Sequence, residues 1–190
     1  LHPLKNLHAF GDGGMITTPD PFLYEYLKKS RNHGLANRDT CDFWSFNCRL
    51  DEMQAAMLRV QLKQLDARTK ERRRLAFRYN AALKSHVRVP EEAKEEFCVY
   101  QTYMIRTENR DGLQEYLTEN NIQTSIHYAV SIPFQPAAKA LGHTRSDFPE
   151  TVCASEEILS LPLYPGMTAR QQDAVIGHII RFSGTAGRGA

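Results

Sequence analysis

A lysine followed by a glycine-rich turn is the feature that most limits how this chain can fold. Lys5 follows Pro3, whose ring fixes its own backbone φ, and it precedes the turn Gly11-Asp12-Gly13-Gly14. Glycine permits tight turns and lets the backbone pass close to a bulky group. The pattern predicts a lysine that is held on a fixed loop. The alternative is an ordinary solvated lysine, since most lysines are exposed.

An ordinary lysine ammonium is a poor nucleophile, because its pKa of about 10.4 leaves little free amine at neutral pH. Burial or a neighbouring cation lowers that pKa, and an imine formed with an aldehyde removes the charge. Lys5 is therefore the candidate catalytic residue of the chain.

Three blocks of sequence follow one another in a fixed order. The first comprises residues 2–18 around Lys5, and the second comprises residues 46–58, which begin Phe46-Asn47-Cys48-Arg49-Leu50-Asp51-Glu52. The third is Ile126-His127-Tyr128, followed by residues 135–137 and 159–165. Together these blocks closely resemble the DegT/DnrJ/EryC1/StrS family of pyridoxal-phosphate sugar aminotransferases.

The resemblance implies a role for four residues. Lys5 would form the Schiff base with pyridoxal 5'-phosphate, and Asn47 would bind the cofactor phosphate from a loop that crosses to the neighbouring subunit of a homodimer. His127 and Tyr128 would contact the substrate. The residues alone leave two alternatives open, namely that Asn47 is a cap before a helix and that His127 is a hydrogen-bonded histidine at the end of a strand.

The resemblance also implies a reaction. An amino group would pass from an amino acid, usually glutamate in the family, to a nucleotide-linked keto-sugar in the biosynthesis of amino sugars for surface polysaccharides or antibiotics. Some relatives carry histidine in place of the lysine and act as dehydratases, so Lys5 favours amino transfer. The rival hypotheses are a catalytically silent fragment and a regulatory or interaction protein on the same scaffold.

In the family this lysine lies near the middle of a longer chain, so these 190 residues are expected to be a C-terminal half. The expected class is α/β, a fragment of a fold-type I PLP-dependent transferase. We expect the end of the large PLP-binding domain over 1–50, a long interdomain helix over 51–85, a small α+β domain over 86–183 and a flexible tail over 184–190.

Local patterns predict the individual elements. Strands are expected over Met15–Thr18, Phe97–Ile105 and Ile122–Tyr128. A helix capped by Asp20 is expected from Pro21 towards Gly34, and one continuous helix from Leu50 to Leu83 with its basic run 68–74 on a solvated face. Further helices are expected over Arg110–Glu119, Pro136–Leu141, Pro149–Leu159 and Thr168–Phe182, the last opened by a capping box between Thr168 and Gln171.

Composition limits the function classes. The formal net charge of +2, from 24 basic and 22 acidic residues, argues against a nucleic-acid binder, and no apolar run is long enough for a membrane span. The hydrophobic content of 42% is sufficient for a packed core. The four cysteines, Cys41, Cys48, Cys98 and Cys153, lack metal-ligand spacing and are interpreted as reduced thiols of a cytoplasmic protein.

Overall fold

The computed structural model describes residues 1–186, with side chains as far as Gly184. The chain has a mixed α/β fold and divides into two compact units, Leu1–Asp66 and a second unit that begins at Ala67. Each unit is described by itself. No helix in the described range is both long and apolar enough to cross a membrane.

The first unit contains helices α1 (Pro21–Ser30) and α2 (Glu52–Leu62). Helix α1 begins where predicted, because Oδ1 of Asp20 accepts hydrogen bonds from the backbone N–H groups of Phe22 and Leu23. It ends at Ser30, before Gly34. The strand predicted over Met15–Thr18 is wrong, since these residues adopt no strand in the described chain; a strand needs a neighbouring strand, and residues 1–66 contain only isolated bridges.

The continuous helix predicted from Leu50 to Leu83 is interrupted. Helix α3 (Leu65–Leu83) follows α2 after a turn at Lys63 and Gln64, where the backbone N–H of Gln64 donates to the carbonyl of Gln61 at 2.9 Å. The boundary between the two units lies within α3, after Asp66. The domain ranges given above remain predictions.

The second unit is built on a two-stranded antiparallel sheet. Strand β1 (Tyr103–Arg106) pairs with β2 (Ile158–Leu161), with Tyr103 opposite Leu161 and Arg106 opposite Ile158. Helices α4 (Arg110–Glu119), α5 (Pro149–Glu157) and α6 (Ala169–Ala186) complete it. Three short 3₁₀ helices lie between α4 and α5, over Ile132–Phe134, Pro136–Leu141 and Arg145–Asp147.

The core of this unit lies between the sheet and helices α3, α4 and α6. At its centre the rings of Tyr79 and Tyr103 stack with centroids 4.9 Å apart. Their hydroxyls donate to the carbonyl of Pro162 at 3.0 Å and to Oδ1 of Asn80 at 2.7 Å, so neither buried O–H lacks a partner. Burial raises the pKa of both tyrosines.

Of two further predicted strands, the one over Phe97–Ile105 is shorter than expected, and the one over Ile122–Tyr128 is wrong. In the segment Phe97–Ile105, Tyr100 has a φ of +44° and β1 starts only at Tyr103. The carbonyls of Tyr100 and Gln101 accept hydrogen bonds from Arg72 instead of from a strand. In the segment Ile122–Tyr128 the described pairing is the single bridge between Ser125 and Ser160.

Two predicted helices also differ from expectation. Helix α5 ends at Glu157, directly before β2 begins, and Pro136–Leu141 is a 3₁₀ helix and not an α-helix.

The basic run 68–74 is not a uniformly solvated face. Besides its contacts to Tyr100 and Gln101, Arg72 donates to the carbonyl of Leu163 at 3.1 Å, and burial lowers the pKa of Arg72. Arg73 forms two hydrogen bonds with Glu92. The run therefore holds loops of the second unit onto α3.

The predicted end of the chain is confirmed in part. The backbone N–H of Gln171 donates to Oγ1 of Thr168, and Oε1 of Gln171 accepts from the backbone N–H of Thr168, which is the capping box predicted for α6. Of the tail predicted over 184–190, the first three residues continue α6, and 187–190 lie outside the described residues.

Candidate active site

Lys5 lies on a hydrogen-bonded turn with its side chain exposed. Its backbone N–H donates to the carbonyl of His2 at 2.9 Å, and its own carbonyl lies 3.0 Å from Nδ1 of His8. The N–H of Ala9 donates to the carbonyl of Leu1 at 2.8 Å. These bonds fix the backbone on both sides of the lysine and leave the side chain accessible.

Helix α2 anchors the loop that carries Lys5, residues 1–10, which we call the lysine loop. The backbone N–H of Phe10 donates to Oε1 of Gln54 at 2.8 Å, and Nε2 of Gln61 donates to the carbonyl of His8 at 2.9 Å. The first and second blocks of the sequence motif therefore contact each other directly, although more than 40 residues separate Phe10 from Gln54.

Two glycines of the turn lie close to side chains of the second motif block. A Cβ on Gly11 would lie 2.9 Å from Nε2 of Gln54, and a Cβ on Gly13 would lie 3.0 Å from Cδ1 of Leu50. A Cβ on Gly14 would meet nothing within 4 Å. A side chain at Gly11 or Gly13 would therefore require the flexible end of Gln54 or of Leu50 to move, whereas Gly14 has open space around it.

Asn47 lies in a short ladder between residues 31–33 and 46–48. The N–H of His33 donates to the carbonyl of Phe46 at 3.0 Å, and the N–H of Cys48 donates to the carbonyl of Arg31 at 2.8 Å. Asn47 itself pairs with Asn32 as an antiparallel bridge. Since the N-cap of α2 is Asp51, Asn47 does not cap that helix.

The amide of Asn47 has a defined polarity. Its Oδ1 accepts a hydrogen bond from Nε of Arg49 at 3.0 Å. The amide NH₂ is then the end that can donate to a further ligand. Arg49, which the motif contains but the sequence interpretation did not single out, places a guanidinium beside this donor. The Asn-x-Arg spacing is the signal that could have identified it.

The loop that carries Asn47 is internally fixed. Gly34 has a φ of +73°, and a Cβ there would lie 1.7 Å from the carbonyl oxygen of Phe43. Nζ of Lys29 and Oδ2 of Asp42 form an ion pair at 2.7 Å. Two aromatic side chains of this ordered loop are nonetheless exposed, Trp44 at 96% and Phe46 at 80%.

His127 and Tyr128 are adjacent at the end of the segment that pairs with β2. Nδ1 of His127 lies 2.7 Å from Oγ of Ser160, so the bland interpretation of a hydrogen-bonded histidine accounts for one ring nitrogen. Tyr128 is 76% exposed and has a φ of +65°. A tyrosine in this left-handed region is uncommon and indicates a constrained position.

The structure thus places the four predicted residues in two units. Lys5 and Asn47 belong to the first unit, one on the lysine loop and the other in the ladder beside α1. His127 and Tyr128 belong to the second unit, where they are neighbours.

Comparison with known proteins identifies the family. The model of the DegT/DnrJ/EryC1/StrS aminotransferase family matches residues 1–180. The chain belongs to this family, and its fold is that of a fragment of the fold-type I PLP-dependent transferases. Pyridoxal 5'-phosphate is the family's cofactor.

Individual relatives match this chain over more than nine-tenths of its length. A protein of Geobacillus stearothermophilus named as a pleiotropic regulatory protein is 39% identical over 95% of this chain and 50% of its own length. The dTDP-3-amino-3,4,6-trideoxy-alpha-D-glucose transaminase of Streptomyces venezuelae is 36% identical over 93% of this chain and 47% of its own. The crystal structure of DesV from S. venezuelae, in complex with a ketimine intermediate, superposes with a TM-score of 0.92 at 34% identity, over 96% of this chain and 50% of DesV. The chain spans about half the length of the relatives it matches.

The donor set described above fits part of this cofactor. An exposed lysine amine on a fixed loop can condense with an aldehyde, and the Asn47 amide beside the Arg49 guanidinium can bind a phosphate.

Proposed function

We propose that this chain is the lysine-bearing half of a pyridoxal-phosphate-dependent sugar aminotransferase. The observation that carries the proposal is the anchoring of the lysine loop to α2 through Gln54 and Gln61, because it joins the two motif blocks around an accessible amine. Held in this way, Lys5 has the fixed backbone that a covalently attached cofactor requires.

Lys5 has two tasks in this proposal. Its Nζ would hold the cofactor covalently, and the bound cofactor would supply an electron sink for the carbon that loses its proton. When the amino-acid donor, taken to be glutamate, takes the place of Lys5 on the cofactor, the released Lys5 amine would accept the proton from the donor α-carbon as a general base. The same amine returns a proton when the acceptor sugar is aminated.

Phosphate binding is assigned to Asn47, with Arg49 beside it. The Asn47 NH₂ group donates to a phosphate oxygen, while the guanidinium of Arg49 neutralises part of its charge. Asparagine suits this role because its oxygen is already engaged by Arg49, which leaves only donors facing the anion.

The acceptor in this proposal is a nucleotide-linked keto-sugar, contacted by His127 and Tyr128. Tyr128 offers an exposed ring and a hydroxyl, and His127 offers a ring nitrogen. The name of the S. venezuelae relative, a transaminase of a dTDP-linked 3-amino sugar, supports a sugar nucleotide as the acceptor.

A homodimer completes the proposal, with the Asn47 loop reaching the neighbouring subunit. The support is that two aromatic side chains just before Asn47, Trp44 and Phe46, are largely exposed, and exposed aromatic residues are typical of interface anchors. We expect Trp44→Ser to weaken self-association in sedimentation experiments. Tyr24→Ser, at an exposed aromatic residue of α1, is the matched control. Equal association of both variants and the parent chain would contradict this role for the loop.

Amino transfer is tested by following the absorption of the protein loaded with pyridoxal phosphate when glutamate is added. We expect loss of the visible band of the lysine-bound cofactor and release of 2-oxoglutarate in equal amount. Lys5→Ala should abolish both, whereas Lys28→Ala, at an exposed lysine of α1, should change neither. Formation of 2-oxoglutarate by Lys5→Ala would contradict the proposal.

A second candidate is a regulatory protein on the same scaffold, for which the name of the G. stearothermophilus relative is the specific support. A regulatory role predicts that Lys5→Ala keeps the protein's biological effect. Loss of the effect together with the loss of amino transfer would favour the enzyme.

A further inference from the structure

Ser160 is a buried polar residue in the centre of a core strand. Its exposed fraction is 5%, and its neighbours in β2, Leu159 and Leu161, are core residues. Its backbone N–H donates to the carbonyl of Ser125 at 2.8 Å, and its carbonyl accepts from the N–H of Ser125 at 3.2 Å. Both backbone groups are therefore paired, which fixes the position of the side chain.

The hydroxyl of Ser160 lies against His127. Its Oγ is 2.7 Å from Nδ1, and among the residues whose side chains the structure describes this is the one hydrogen bond of that hydroxyl. If Nδ1 carried the proton, Ser160 would only accept, and its own buried O–H would remain unpaired, which costs free energy. Donation by Ser160 avoids that cost, and it requires Nδ1 to be unprotonated in the neutral ring.

We infer that Ser160 is a positioning residue that donates to Nδ1 of His127 and thereby directs the Nε2–H of His127 to an anionic phosphate oxygen of the substrate. The identity of the acceptor rests on the proposed function. The hydrogen bond fixes both the tautomer and the ring orientation of His127. A neutral imidazole held in this tautomer is a hydrogen-bond donor at Nε2.

The neighbouring backbone supports a ligand-facing position for His127. Tyr128 follows it with a φ of +65°, and residues other than glycine that hold such a strained conformation cluster at ligand sites. The two ring centroids are 6.2 Å apart, so an aromatic face lies beside the proposed donor. A nucleotide-linked sugar has both a phosphate for the donor and a ring for the aromatic face.

The tautomer can be read directly by solid-state ¹⁵N NMR of protein labelled at histidine. Seven histidines contribute signals, and His127→Gln identifies those of His127 by their disappearance. At a pH where the ring is neutral, we expect a protonated Nε2 and an unprotonated Nδ1 for His127. Ser160→Ala should give a mixture of both tautomers, and Ser160→Thr, which keeps the hydroxyl, should restore the single one.

Ser125→Ala is the matched control, because it removes the same atoms from the residue paired with Ser160 but no bond to His127. It should leave the His127 signals unchanged. A protonated Nδ1 in the unsubstituted protein would overturn the inference, as would an identical single tautomer in Ser160→Ala. The test for a protonated Nδ1 uses the unsubstituted protein, so the inference can still be overturned if Ser160→Ala fails to fold.

The substrate-directed part is tested with thymidine 5'-diphosphate as the probe. We expect binding to shift the Nε2 signal of His127 and to weaken about three- to tenfold in Ser160→Ala, the loss of one oriented hydrogen bond. Ser125→Ala should bind as the parent does. Absence of a shift, or equal affinity in Ser160→Ala, would overturn this role. Neither readout involves Lys5, so failure of cofactor attachment contradicts the proposed function without altering the tautomer result.

Discussion

The side-chain oxygen of Gln54 accepts the backbone N–H of Phe10 at 2.8 Å, and this bond ties the lysine loop to helix α2. Gln61, two turns further along the helix, binds the carbonyl of His8. The two glutamines therefore align one face of α2 with the loop. A residue of the second motif block, which carries no reactive group, thus sets the position of Lys5 in the first.

Gln54→Ala should loosen the loop. Loss of the bond to Phe10 leaves its N–H without its acceptor, so we expect the free energy of unfolding to fall by about 1 kcal/mol and amide hydrogen exchange at Phe10 to accelerate. Met53→Ala, at the preceding and 73% exposed position, is the control and should leave exchange at Phe10 unchanged. An unaltered Phe10 amide in Gln54→Ala would show that Gln54 does not anchor the loop.

Gly34→Ala should disrupt the loop that carries Asn47. Gly34 has a φ of +73°, and a Cβ there would lie 1.7 Å from the carbonyl oxygen of Phe43, so the backbone would have to move. We expect destabilisation of about 3 kcal/mol or more, measured by denaturant unfolding.

Gly142→Ala is the comparison that separates the cost of a positive φ from the cost of a steric clash. Gly142 has a similar φ of +68°, but a Cβ there would meet nothing within 4 Å. We expect Gly142→Ala to lower the free energy of unfolding only by the cost of placing a non-glycine residue at positive φ, about 1–2 kcal/mol. Equal losses in the two variants would mean that the contact with Phe43 does not matter.

The ion pair between Arg73 and Glu92 predicts an acid-sensitive second unit. Arg73 donates to both carboxylate oxygens at 2.6 and 3.0 Å, and the N–H of Cys98 donates to Oε1. These bonds hold the pKa of Glu92 below its usual value. The stabilisation is therefore present above the pKa of an unfolded glutamate, about 4.3, and is lost as the pH falls through the lower pKa of the folded state.

Glu92→Gln should remove that pH dependence. We expect the variant to be less stable than the parent chain near neutral pH and the difference to shrink in acid, as followed by thermal unfolding between pH 7 and pH 3. Glu95→Gln, at an exposed position of the same segment, should track the parent chain at every pH. A constant difference between Glu92→Gln and the parent would refute the assignment.

Local signals in the sequence were sufficient where a single side chain decides the structure. Asp20 before Pro21 starts α1, and Thr168 with Gln171 starts α6, because each cap needs only neighbouring residues. The order of the motif blocks was sufficient to identify the family and its fold.

The strands failed for a non-local reason. The aromatic run Phe97–Ile105 has strand propensity throughout. The carbonyls of Tyr100 and Gln101 nevertheless accept hydrogen bonds from Arg72 of α3 and not from a neighbouring strand. The helix break between α2 and α3 at Lys63 and Gln64 was likewise not predicted, because the sequence has no glycine or proline there. Ser160, which pairs with His127 from 33 residues away, could be found only from the fold.

The most direct test of the account is to identify the lysine that binds pyridoxal phosphate. The chain is incubated with the cofactor and reduced with borohydride, and its peptides are mapped by mass spectrometry, with Lys5→Arg and Lys28→Arg treated in parallel. The account predicts a cofactor adduct concentrated on the peptide that contains Lys5, lost in Lys5→Arg and kept in Lys28→Arg. Adducts spread over many lysines, or an unchanged pattern in Lys5→Arg, would contradict it.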